Sequence, residues 1–92
     1  MKKAAKLIIQ GTVQGIFYRQ FTKEHADKLK LSGFVRNLEN GDVEVVVEGE
    51  GDNIDRLEGL LKQGPEHSQI RNILREEKKW SGDLKGFKIL RI

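Results

Sequence analysis

The fold is decided by one stretch, Gly11-Thr12-Val13-Gln14-Gly15-Ile16-Phe17-Tyr18-Arg19, in which a strand ends and a helix begins. The apolar run Leu7-Ile8-Ile9 just before it predicts a buried strand. A glycine-bounded turn between a strand and a helix lets successive backbone N–H groups point at one spot, where the helix dipole is positive. Arg19 adds a planar cation that can donate two parallel hydrogen bonds. The stretch therefore predicts a cradle for an anion such as a phosphate group.

The helix that follows is predicted to be amphipathic, with Arg19 off its buried stripe. At 100° per residue, the side chains that share the apolar face are Tyr18, Phe21, Thr22, His25, Ala26 and Leu29. The opposite face carries mostly charged residues. Because Arg19 lies in the first turn and away from the stripe, it is free to face a ligand. We expect Ser32-Gly33 to stop this helix.

A hairpin is predicted next. Residues 34–38 and 42–48 alternate as two paired strands, and Asn40-Gly41 between them is the preferred centre of a two-residue turn. In the second of these strands Val43, Val45 and Val47 share one face. One side of the hairpin is therefore expected to be core, and the other largely solvated.

The second half of the chain repeats the helix–strand order. Asp52 or Asn53 is predicted to cap a helix that ends at Gly64-Pro65, and residues 70–80 and 87–92 are predicted to form strands. The order β-α-β-β-α-β with an extra C-terminal strand predicts an α+β fold. We expect a ferredoxin-like sandwich, with an antiparallel sheet and both helices on one face.

Composition limits the possible functions. The 92 residues predict a single domain spanning 1–92, and with no cysteine the chain can form neither a disulfide nor a thiolate metal site. The N-terminal apolar run is too short for a signal peptide or a membrane span, so we expect a cytoplasmic protein without a membrane partner. Charge is unevenly distributed along the chain. Residues 37–66 hold nine Asp or Glu and two Lys or Arg, whereas residues 1–36 hold two Asp or Glu and eight Lys or Arg. This segmentation does not by itself choose between ligands.

Two motifs taken together resemble a known family. Gly11-x-Val13-Gln14-Gly15-Ile16-x-Tyr18-Arg19 and Gly33-Phe34-Val35-Arg36-Asn37-x-x-x-Gly41-x-Val43-x-x-x-x-x-Gly49 are similar to the paired signatures of the acylphosphatases. The one departure in the first signature is Ile16, where the family usually has valine. The resemblance covers nearly the whole chain, including Gly64-Pro65 and the order of helices and strands.

The resemblance implies an enzyme that hydrolyses the carboxyl–phosphate bond of acyl phosphates, a hydrolase acting on acid anhydrides, without a metal or another cofactor. Arg19 and the backbone N–H groups of Gln14, Gly15, Ile16, Phe17, Tyr18 and Arg19 would bind the phosphoryl group. Asn37 would orient the attacking water. The expected partners are an acyl phosphate substrate and inorganic phosphate as product, with no nucleic acid, and a monomer is expected.

Other functions remain open at this stage. A ferredoxin-like order and a pI of about 9.3 also suit an RNA-binding module, although strands 7–9 and 43–47 carry no aromatic residue on which a base could stack. Similar domains also occur within larger carbamoyl-transfer enzymes. Read alone, Arg19 is a solvated arginine and Asn37 a polar strand end; it is their occurrence in paired signatures that favours catalysis.

Overall fold

The computed structural model describes residues 1–13 and 15–91, apart from the side chain of Ile16. Within this part of the chain there are five strands and two helices: β1 (Lys2–Thr12), α1 (Ile16–Lys28), β2 (Ser32–Asn37), β3 (Val43–Glu50), α2 (Gly51–Gln63), β4 (Gln69–Lys78) and β5 (Phe87–Ile89). The predicted α+β, ferredoxin-like order is confirmed. Ile92, placed by the sequence at the end of the last strand, lies outside the described residues.

The strands form one sheet in the order β4-β1-β3-β2-β5. β1 lies between β3 and β4 and is antiparallel to both, and β2 is antiparallel to β3. β5 adds to the edge of the sheet in parallel with β2. The antiparallel part of the sheet is as predicted, whereas the parallel direction of β5 depends on a long-range pairing that no local pattern encodes.

Both helices cover one face of the sheet, where a single hydrophobic cluster forms. On the sheet side its fully buried members include Leu7, Ile9, Val35, Val43, Val45 and Val47, and on the helix side Ala26, Ile54, Leu57 and Leu61. In each strand these residues alternate with residues of the other face, as the period of two requires. Neither described helix is long and apolar enough to cross a membrane.

Helix α1 has the predicted buried stripe, but it ends earlier than predicted. Thr22 and Ala26 are fully buried, and Tyr18 nearly so. The helix ends at Lys28, and Lys30 takes a positive φ of 57°. The N–H of Leu31 then bonds the carbonyl of Ala26, which closes a Schellman motif. Lysine occupies the position at which glycine usually ends a helix. The prediction that Ser32-Gly33 ends α1 was therefore wrong, and these two residues belong to β2.

The turn between β2 and β3 consists of residues 39–41, which the predicted strand bounds leave between the strands, but its type differs from the prediction. The Leu38 and Asp42 positions pair across the hairpin, so the loop has three residues and is not the two-residue turn whose centre Asn40-Gly41 favours. The N–H of Gly41 bonds the carbonyl of Leu38, and Gly41 has a φ of 97°. This is a turn followed by a glycine bulge. Asn-Gly is common in this type of hairpin loop and also in the two-residue turn.

Helix α2 begins at Gly51, one or two residues before the predicted caps, and Glu50 occupies the cap position without a side-chain hydrogen bond to the helix. Instead of capping, Asn53 donates to the carbonyl of Leu29 and so ties α2 to the end of α1. The predicted end at Gly64 is confirmed, with a φ of 68°. The two helices are further joined by the Tyr18 hydroxyl, which donates to the carbonyl of Leu61, and burial raises the pKa of this phenol.

The second face of the sheet is less solvated than predicted. The carboxylate of Glu44 pairs with Arg36 at 2.6 Å, and Glu48 is only 6% exposed. Glu48 accepts hydrogen bonds from the N–H and hydroxyl of Ser81 and from the N–H of Gly82, in the connection between β4 and β5. Burial raises the pKa of the Glu48 carboxyl, but these hydrogen bonds outweigh burial and hold it below the ordinary value of 4.5.

We expect Glu48→Gln to destabilise the fold near neutral pH by about 1–2 kcal/mol, because hydrogen bonds to a charged acceptor are replaced by weaker ones. Since the pKa is lower in the folded state, this stabilisation is complete above the unfolded-state value of 4.5 and is lost as the pH falls through the folded-state pKa. The difference between variant and wild type should therefore shrink below pH 4.5. Urea unfolding across this range measures it, with the exposed Glu24→Gln as control; a difference independent of pH would contradict it.

Candidate active site

Strand register brings the end of β2 beside the end of β1. Ile9 of β1 and Asn37 of β2 both pair with Val43 of β3, one on each side. Two strand spacings of about 4.8 Å therefore separate their backbones. Residues that pair directly share a face, so Asn37 faces the helix side together with Ile9 and Val43. The chain leaving β1 for α1 and the side chain of Asn37 therefore lie at the same end of the sheet.

The N-terminus of α1 lies at the same end of the sheet. Its N–H groups at Gly15, Ile16, Phe17 and Tyr18 have no acceptor within the helix, and no side chain among the described residues caps them. Gly15 has a φ of 115°, a conformation that residues with a Cβ rarely adopt, and apart from its two chain neighbours no described residue has an atom within 4 Å of the position where a Cβ would be. Glycine is needed here for backbone direction, and the space beside it is open.

Arg19 lies over this first turn and is partly exposed. Its Nε is 3.4 Å from the carbonyl oxygen of Gly15, so the guanidinium folds back toward the start of the helix. A cation in the first turn opposes the helix dipole by about 0.3–1 kcal/mol, and no acidic residue lies in that turn to offset it. The N–H groups and the guanidinium together form an arrangement that favours an anion.

The side-chain oxygen of Asn37 is buried and lacks a hydrogen-bond partner within residues 1–13 and 15–91. A cavity of about 430 Å³ is lined by Arg36, Asn37, Leu38 and Glu39. An unpaired buried acceptor costs about 1–3 kcal/mol, so such atoms are rare in folded proteins. A bound water molecule would give this oxygen the partner that the described residues do not provide.

Most of the predicted site residues therefore lie at the end of the sheet that also holds Asn37: Gly15, Phe17, Tyr18 and Arg19, with the backbone of Ile16. Gln14, predicted as part of the cradle, lies outside the described residues. The side chain of Tyr18 is buried, so only its backbone faces the cradle. In the described part of the chain no group of three or more His, Cys, Asp or Glu side chains is placed to hold a metal ion.

The sequence analysis predicted a role for the backbone of Phe17 but not for its side chain. This side chain is 83% exposed, and it lines a cavity of about 150 Å³ together with Thr12 at the end of β1 and residues 65–68. The helical pattern contained the signal, because Phe17 falls outside the stripe formed by Tyr18, Thr22 and Ala26. An aromatic residue off the buried face and inside a proposed cradle is a candidate ligand contact.

Comparison with known proteins agrees with this geometry. The family model described as acylphosphatase matches residues 5–89. An acylphosphatase of Rubrobacter xylanophilus is 40% identical over 87 residues, which cover 95% of this chain and 79% of that protein. The crystal structure of acylphosphatase from Bacillus subtilis superposes with a TM-score of 0.91 at 31% identity, over 98% of this chain and 99% of that one. Full-length HypF, in its phosphate- and nucleotide-bound form, gives a TM-score of 0.85 at 30% identity, over 98% of this chain and 12% of that one. The chain belongs to the acylphosphatase family.

Proposed function

We propose that this protein is an acylphosphatase that hydrolyses acyl phosphates to a carboxylate and inorganic phosphate. The observation that carries the proposal is the position of the unpaired Asn37 oxygen at the same end and on the same face of the sheet as the uncapped start of α1. The start of α1 can hold an anion, and the side-chain oxygen of Asn37 can hold a water molecule. Family membership supports the same reaction.

In this proposal the phosphoryl group lies at the N-terminus of α1. The backbone N–H groups of residues 14–19 donate to its oxygens, and the guanidinium of Arg19 adds two parallel hydrogen bonds. Phosphoryl transfer passes through a loose transition state with negative charge spread over the equatorial oxygens. Donors fixed in place by a helix and a turn stabilise that charge without having to reorganise.

Asn37 orients the nucleophile. Its side-chain oxygen accepts a hydrogen bond from a water molecule, which turns a lone pair of that water toward phosphorus. The water oxygen forms the new P–O bond while the bond from phosphorus to the bridging oxygen breaks. The acyl group leaves as a carboxylate with that electron pair; one water proton stays on the phosphate and the other is released. Asn37 does not titrate, so its contribution is positional.

The substrate itself makes the reaction accessible to such a simple site. A carboxylate is a good leaving group, so the reaction needs neither a strong general acid nor, in our proposal, a metal ion or another cofactor. Inorganic phosphate is a product that can bind the same cradle.

We also infer a single domain over residues 1–92, a monomer, a cytoplasmic location and no nucleic-acid partner. The last inference rests on the central strand β3, whose face away from the helices carries Glu44, Val46 and Glu48 and no aromatic ring on which a base could stack. Glu48 on this face is also covered by Ser81 and Gly82.

Hydrolysis of acetyl phosphate in ¹⁸O-labelled water, with a chelator present, tests the proposal. We expect acetate and phosphate in equal amounts, the label in phosphate, and a rate unchanged by the chelator. Label in acetate would show attack at the carbonyl carbon and overturn the mechanism. A rate abolished by the chelator would overturn metal independence, and a folded protein without turnover would overturn the activity.

A further inference from the structure

We propose that the carboxylate of Glu44 positions the side chain of Asn37 relative to the start of α1. This inference rests on the proposed function, in which Asn37 orients the attacking water. It begins from the register of the hairpin, where Arg36 of β2 pairs with Glu44 of β3. The next pair toward the end of β2 is Asn37 with Val43. The contact between Arg36 and Glu44 is therefore directly beside the pair that holds Asn37 in the sheet.

The carboxylate of Glu44 links three neighbouring strands. The Nε of Arg36 donates to one of its oxygens at 2.6 Å, and the Nζ of Lys6 on β1 lies 3.8 Å from the other. The side chain of Glu44 is only 10% exposed, so salt screens these attractions less than it screens an ion pair on the surface. Because β1 leads into the anion cradle and β2 ends at Asn37, Glu44 connects the strands that carry the two halves of the proposed site.

The end of β2 depends on this contact because it has a paired strand on one side only. β5 pairs with residues 33–35 of β2, and the N–H of Leu90 bonds the carbonyl of Val35. Beyond Val35, the strand pairings of β2 within the described residues are with β3 alone. The ion pair of Arg36 with Glu44 thus adds a side-chain contact where the backbone pairing of Asn37 has least support.

These charged residues act on Asn37 through the backbone. Neighbouring residues of a strand point to opposite faces, so Arg36 and Glu44 lie on the face away from the helices, whereas Asn37 faces the helix side. Without the carboxylate of Glu44, Arg36 and Lys6 lose the counterion that they share, and the end of β2 is free to shift. A displacement of about 1 Å can lower a reaction rate by about a hundredfold.

Kinetics of single and double variants provide the first test. Glu44→Gln should lower kcat for acetyl phosphate by about tenfold and leave KM and inhibition by phosphate nearly unchanged, since the phosphoryl group is held at the start of α1. Arg36→Gln should have a similar effect. The double variant should lose little more than either single variant, because both changes remove the same contact.

Glu58→Gln is the matched control. The side chain of Glu58 is 19% exposed and pairs with Arg75 at 2.8 Å, which joins α2 to β4 rather than β3 to β2. This variant also loses a carboxylate from a mostly buried ion pair, and it should keep the wild-type kcat.

A second readout needs no turnover. The side-chain amide of Asn37 gives a pair of signals in a ¹H–¹⁵N spectrum, and their absence from the spectrum of Asn37→Ala identifies them. We expect these signals to shift in Glu44→Gln and in Arg36→Gln, and to keep their positions in Glu58→Gln.

The outcomes separate this inference from the proposed function. In an active protein, an unchanged kcat in folded Glu44→Gln, or Asn37 signals that do not shift, would overturn the positioning role and leave the activity in place. An equal loss of kcat in Glu58→Gln would also overturn it, because lost stability would then be responsible. A wild type without turnover would overturn the proposed function, and the Asn37 signals alone would then decide the positioning role. The side chain of Arg36 is 40% exposed, so Arg36→Gln supplies both readouts should Glu44→Gln not fold.

Discussion

Arg19→Ala should lower kcat/KM for acetyl phosphate by about a thousandfold, since removing one fixed donor to a developing oxyanion typically costs a hundred- to thousandfold. The guanidinium supplies both the charge and the two parallel hydrogen bonds that match a phosphoryl group. Arg19→Lys keeps the positive charge but cannot donate two parallel hydrogen bonds. We expect its kcat/KM to be about tenfold higher than that of Arg19→Ala. Inhibition by inorganic phosphate should weaken in both variants, because the same group holds the product.

The stability of these variants separates a binding role from a structural one. Arg19 has one long hydrogen bond, from its Nε to the carbonyl of Gly15. Its charge opposes the helix dipole, so Arg19→Ala should unfold within about 0.5 kcal/mol of the wild type or be slightly more stable. Arg56→Ala, which removes an exposed arginine of α2, is the matched control and should retain full activity. A large loss of stability in Arg19→Ala alone, with phosphate inhibition unchanged, would contradict the role proposed here.

The sequence predicted what depends on local periodicity. The buried stripe of α1, the alternation of Val43, Val45 and Val47, and the end of α2 at Gly64 all follow from the spacing of apolar residues and glycines, and all are confirmed. The strand-to-helix turn at Gly15 could be predicted as well, because a positive φ there favours glycine.

The features that could not be predicted from the sequence are of two kinds. Some depend on contacts between residues distant in the chain, and others arise where a residue other than the usual one occupies a helix end or a turn. Lys30 adopts the left-handed conformation that ends α1, although glycine is the residue expected there. Asn40-Gly41 fits two kinds of turn, and only the pairing of the flanking strands chooses between them. The burial of Glu48 depends on Ser81, 33 residues further along the chain.

The same distinction applies to the candidate site. Arg19 and Asn37 were identified by motif, but their placement at one end of the sheet follows from the register of β1 and β2 with Val43. The cavity beside Phe17 depends on residues 65–68, which β4 carries to the end of β1. No pattern within residues 11–19 contains that information.

Asn37→Ala should lower kcat by about a hundredfold or more while leaving KM and inhibition by phosphate nearly unchanged. The physical reason is that a misplaced nucleophile loses the advantage of proximity, which can account for several kcal/mol of a barrier. The phosphoryl group is held elsewhere, at the start of α1. The loss should therefore appear in kcat rather than in binding.

The free energy of unfolding of this variant distinguishes a catalytic role of Asn37 from a structural one. The buried oxygen of Asn37 has no partner in the described part of the chain, so its removal breaks no hydrogen bond to that part of the fold. We expect the free energy of unfolding of Asn37→Ala to lie within about 1 kcal/mol of the wild-type value, in contrast to a structural asparagine, whose removal destabilises the fold.

Asn72→Ala is the matched control, because Asn72 is an exposed asparagine of β4 that donates to Gln10. It should retain full activity. Undiminished kcat in a folded Asn37→Ala protein would contradict the water-orienting role. A variant that lost activity and about 2 kcal/mol of stability together would show that Asn37 supports the hairpin, as a buried, satisfied polar group would. A loss of activity without a loss of stability is the combination that a residue kept for catalysis should show, because its side chain acts on a water molecule rather than on the fold.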